Sequence, residues 1–225
     1  MVNYDTAILL HHSSGNKPSD IEFTDNHYEE TNSGITLNPD GLLSFHNNNF
    51  TVNFESQPLV LSHFVSMLGL NGPTLESRGN TFAIQNLNSA GAHWDISGFA
   101  QTRITYNDFD GTASGGEAVI RIINTPTIEF GSNTFSRFNI PILVDLPTHS
   151  DSIAIFDERY LDNPGCVAIR LQSTSGIASV ERCQFFTLAT GIYSPAGMEL
   201  SVSNSDFGTF DTRAIDMAGM AHLSN

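Results

Sequence analysis

Basic residues are scarce in this chain: 9 Lys+Arg stand against 24 Asp+Glu, for a formal net charge of -15. A surface this acidic offers no basic patch to displace counterions from phosphate. That excludes nucleic acid as an expected partner and opposes binding to anionic membranes. Cysteine is almost absent. Cys166 and Cys183 make neither a disulfide framework nor a metal-ligand spacing, and both are expected as unpaired core thiols. No run of 18 apolar residues exists, so no membrane-spanning helix is expected. The start, Met1-Val2-Asn3-Tyr4-Asp5, lacks the basic and apolar segments of a secretory signal. Charged residues make up only 15%, so Asn, Ser, Thr and Gly must supply the surface polarity. An acidic, Asn-rich, Lys-poor surface suits an extracellular or cell-surface setting.

What the chain does have is a short repeat. Its order is apolar, any, apolar, two polar, Asn, any, aromatic. The first two copies are Ile21, Phe23, Asn26, Tyr28 and Leu43, Phe45, Asn48, Phe50. Three more follow: Leu75, Ser77, Asn80, Phe82; Thr102, Ile104, Asn107, Phe109; and Ile128, Phe130, Asn133, Phe135. The last three keep the aromatic and replace the pivot Asn: Ile153, Ile155, Glu158, Tyr160; Ala178, Val180, Cys183, Phe185; and Leu200, Val202, Ser205, Phe207. A second alternating stretch follows each copy, as in Gly34-Ile35-Thr36-Leu37, Val119-Ile120-Arg121-Ile122 and Ala168-Ile169-Arg170-Leu171. Period-two alternation puts one face in and one out.

Units this short cannot bury their own apolar face. Stacking one unit on the next gives each strand a parallel neighbour and closes a dry core. The expected fold is all-β: one domain over 1–225, a single-stranded right-handed parallel β-helix, or β-solenoid, of about eight coils of 22-32 residues. The aromatics should stack along the axis. The pivot Asn should sit at a bend, absorb unusual backbone angles and hydrogen-bond to the next coil's Asn.

The Asn-x-Phe turn followed by Gly-Ile-x-Leu resembles the repeats of the pectate-lyase-like superfamily of right-handed parallel β-helices, over about residues 7 to 223. The resemblance implies the fold. For function it implies a non-catalytic stalk or adhesive, glycan-binding segment like those of long bacterial surface proteins. An extracellular polysaccharide lyase or glycoside hydrolase, or a phage tailspike-like fibre, are its other implications. Ala7-Ile8-Leu9-Leu10 and Ala221-His222-Leu223 read as parts of coils, so further coils of the same protein are expected at both ends.

Functional residues are expected where coils exceed the minimum length. The second to fourth coils carry extra residues between pivot and second strand, on one edge. Gln85, Asn86, Asn88, Asp108, Asp110 and Glu117 there are the candidate ligand-binding residues, suited to a neutral glycan. Asp108 and Asp110 flank an inward Phe109 and are the candidate calcium ligands. In the second coil the second strand is expected 12 residues after Asn48, which leaves Ser62 to Pro73 to fold back over the rod. Trp94 is in phase with the core. Glu76, Arg103 and Glu129 share the position four before the pivot and should lie one above another. They are the candidate catalytic residues of a lyase, or a charge ladder bracing parallel strands.

Overall fold

The computed structural model describes residues 6–11, 20–30, 34–39, 41–53, 63–69, 72–85, 92–111, 118–138, 140–145, 152–161, 163–172, 176–195 and 197–225. These residues form a β-solenoid of three parallel sheets, and none of them is helical. Each coil visits the sheets in the same order. The first sheet holds nine strands, from Ile21–Thr24 to Met220–Ser224. The second holds eight, from His27–Glu30 to Asp206–Phe207, and the third holds nine, from Thr6–His11 to Phe210–Met217. Strands pair only with the equivalent strands of adjacent coils, as in Gln101–Thr105 between Thr74–Arg78 and Thr127–Gly131.

The aromatic that closes each repeat forms a column along the stacked coils. Its position faces inward in every coil, and parallel pairing holds successive coils one strand spacing apart. Phe50, Phe82, Phe109 and Phe135 therefore stack with centroids 4.8–4.9 Å apart and planes within 11°. Tyr160, Phe185 and Phe207 continue the column at 4.7–5.5 Å. Trp94 is fully buried, as its phase requires, and meets the edges of Phe82 and Phe109. Cys166 and Cys183 are free, buried thiols.

The pivot works through its side chain rather than its backbone. The left-handed residue is the one before it: Asp25, Asn47, Gly79, Tyr106, Ser132, Asp157, Arg182 and Asn204 all have φ between 50° and 69°. The expectation that the Asn itself absorbs the unusual angle is thus corrected by one position. A single left-handed residue turns the chain between sheets, and the next side chain can then point into the rod. Asn48 Nδ2 donates to Asn80 Oδ1 at 2.9 Å and to the Phe23 carbonyl at 2.9 Å. Asn80, Asn107 and Asn133 repeat both contacts with the coils on either side. The ladder satisfies polar atoms that burial would otherwise leave costly. It ends on Glu158, whose Oε1 accepts from Asn133 Nδ2 at 2.7 Å.

The second coil differs from the expectation. Its third-sheet strand is His63–Leu68, with Val65 in register with Ile35 and Trp94. Six residues of the segment expected to fold back over the rod, His63–Leu68, therefore belong to a sheet. Leu59-Val60-Leu61 and Phe64-Val65-Ser66-Met67 are competing apolar stretches, and only pairing with neighbouring coils chooses between them.

Candidate functional site

The outer face of the first sheet presents two neighbouring columns of side chains, because residues two apart on a strand share a face. One column contains Glu76, Arg103 and Glu129, in direct register as expected. The other reads His46, Arg78, Thr105, Gly131 and Phe156. Its middle is low, since Thr105 is small and Gly131 has no side chain. Phe156 lies over Gly131: a Cβ built on Gly131 would sit 2.4 Å from Phe156 Cε2. Large residues on both sides of small ones leave a groove of about 360 Å³.

Tyr106 forms a wall of this groove. It occupies the left-handed turn position, with φ 58°, and is 58% exposed. The Arg78 guanidinium carbon lies 4.9 Å from its ring centroid, a cation–π contact. Arg103 Nε donates to Glu129 Oε1 at 2.8 Å. The hydrogen bond and charge of Glu129, together with the charge of Glu76, hold the Arg103 guanidinium above its ordinary pKa. An arginine bound in this way is a poor proton acceptor. Within the trio, Arg103 and Glu129 form an ion pair. Among the described residues, Glu76 and Arg78 have no hydrogen-bonded or ion-paired partner.

No protein-family model matches this chain, and no curated protein or solved structure matches it either.

The bulged edge is described in part. Asn86, Asn88 and Glu117 lie outside the described residues. Gln85 ends the strand Thr81–Gln85, in register with Asn53. Asp108 and Asp110 point outward on either side of the fully buried Phe109. Burial alone would raise the Asp110 carboxyl. Hydrogen bonds from Arg137 and Ser136 outweigh it and hold the group below its ordinary pKa. Arg137 Nε and Ser136 Oγ each donate to Asp110 Oδ1 at 2.8 Å, and Arg137 also binds Oδ2. Asp108, by contrast, is pushed up by partial burial and by the charge of Asp110. As a calcium ligand Asp110 would have to release a guanidinium that already neutralises it. Among the described residues no three His, Cys, Asp or Glu side chains converge as a metal site.

The expected register of Glu76, Arg103 and Glu129 is found, and the groove that they line with residues of the neighbouring column was not foreseen. Tyr106, Thr105, Gly131 and Phe156 carry no shared motif. One available signal was the residue type at the turn before the pivot, where most other coils place Asp, Asn, Gly or Ser and this coil places Tyr.

Proposed function

We propose that this chain is a non-catalytic β-helical stalk or adhesive segment of a large secreted or cell-surface protein, of the kind found in long bacterial surface proteins with pectate-lyase-like repeats. The observation that carries the reading is the ion pair that closes Arg103 onto Glu129 within the Glu76–Arg103–Glu129 column. Two of the three residues best suited to lyase chemistry, Arg103 and Glu129, are committed to an ion pair along the strand stack, which leaves the arginine a poor base. The continuous aromatic column and the Asn ladder from Asn48 to Asn133 add to this, since they make a repetitive scaffold along the stacked coils. The acidic surface suits an extracellular location. No helix among the described residues is long and apolar enough to cross a membrane.

The test is a product assay. The purified chain is incubated with neutral and acidic polysaccharides, and reducing ends and unsaturated ends are followed. Neither should appear above background. Product formation that disappears in Arg103→Ala would overturn the proposal in favour of an extracellular polysaccharide lyase or glycoside hydrolase.

A further inference from the structure

We infer that the groove on the outer face of the first sheet binds a neutral saccharide, with Tyr106 as its stacking platform, an inference that rests on the adhesive reading of the rod. The placement of Tyr106 is the starting point. A left-handed backbone angle is unfavourable for a bulky side chain, and such strain persists where the surroundings or a function maintain it. The equivalent turn positions hold Asp25, Asn47, Gly79, Ser132, Asp157 and Asn204, which tolerate the angle, and Arg182, which is tied to Asp157 by an ion pair. Tyr106 has no buried packing role to justify the strain, since most of its surface is open. The Arg78 guanidinium lies over one face of the ring, 4.9 Å from its centroid, a contact that restrains the ring's orientation.

The groove chemistry then selects the ligand. Two glutamates and two arginines line it, so it is locally balanced in a chain of net charge -15. A polyanion would be repelled by the rest of the surface, and a simple cation would meet Arg78 and Arg103. A sugar suits both free groups. Glu76 is an acceptor for hydroxyl protons, Arg78 is a donor to hydroxyl oxygens, and neither has another partner among the described residues. The C–H face of a pyranose has an apolar match in the rings of Tyr106 and Phe156, which both line the groove. A volume of about 360 Å³ falls within the usual size range of small-ligand sites. The site lies on a sheet face, away from the bulged edge.

The experiment is an array of neutral and acidic oligosaccharides probed with the whole chain, followed by NMR titration of the tightest array ligand. Wild type, Tyr106→Asn and Glu76→Gln are compared. Tyr106→Asn keeps the fold, because Asn47 and Asn204 already hold this turn position. A neutral oligosaccharide should bind with little dependence on salt, and both variants should weaken it at least tenfold. Binding of acidic glycans alone would overturn the assignment of ligand class. Neutral binding that survives Tyr106→Asn would place the site elsewhere and leave the adhesive reading standing. Absence of any glycan binding would overturn the groove and the glycan-adhesive role together, leaving the stalk to be judged by the product assay.

Discussion

Replacing Glu158 by Asn should stabilise the protein at neutral pH and flatten its pH dependence. Glu158 is fully buried at the end of the Asn ladder. Its Oε1 accepts from the Asn133 backbone and side chain, while Oε2 has no partner. Burial drives its pKa well above the ordinary carboxylate value. The Asn133 hydrogen bonds offset part of this, and the charge of Asp157 adds to it. The folded protein therefore holds a proton that the unfolded chain releases. Below the ordinary carboxylate pKa both states are protonated and the group is neutral toward stability. Above it the folded state binds more protons, so stability falls as pH rises, by up to about 1.4 kcal/mol per unit, until the folded group ionises. Asn at this position would repeat the geometry of the other pivots, with its amide reaching the Phe130 carbonyl as Asn133 reaches that of Ile104. Satisfying a buried polar group is worth about 1–3 kcal/mol, and the lost methylene costs about 0.8 kcal/mol. The expected net gain at neutral pH is between a few tenths and about 2 kcal/mol. Urea melts of both proteins from mildly acid to mildly alkaline pH measure it. A variant less stable than wild type at neutral pH, or two parallel pH profiles, would refute the assignment of a protonated carboxyl in the ladder.

Phe109→Ala or Phe135→Ala should each cost ~3–5 kcal/mol in chemical denaturation, because rings locked between stacked neighbours cannot collapse into the cavity. Glu129→Gln should cost no more than about 1 kcal/mol, since Arg103 is 52% exposed; a large loss in the same melt would mean that the ladder is a main support of the rod. Tyr106→Asn should raise stability by about 1 kcal/mol, and a loss would show that Tyr106 is held by packing. The Cys166 and Cys183 thiols, pushed up to about 12 by burial, should resist a thiol reagent in the native protein and react fully in denaturant. Rapid native labelling would contradict their place in the core.

The architecture was legible because a solenoid is locally repetitive. Each coil meets the same neighbours above and below, so a residue's place within its own coil also states its tertiary contacts. The invariant aromatic predicted the axial stack, and equal offsets from the pivot predicted the register of Glu76, Arg103 and Glu129. The same logic placed Trp94 inside. Where the sequence offered two equivalent local solutions, only the tertiary structure decided. In the second coil, pairing of Val65 with Ile35 and Trp94 selected the strand. At the turn, the pivot had to aim its amide along the axis, which moved the left-handed angle to the residue before it. The groove belongs wholly to this second class. It arises because Arg78, Thr105, Gly131 and Phe156 come from four successive coils, and its depth depends on which side chains are missing in the middle. The charge state of Glu158 does too, since a carboxyl's affinity for its proton is set by the water and partners that the stacked coils leave around it.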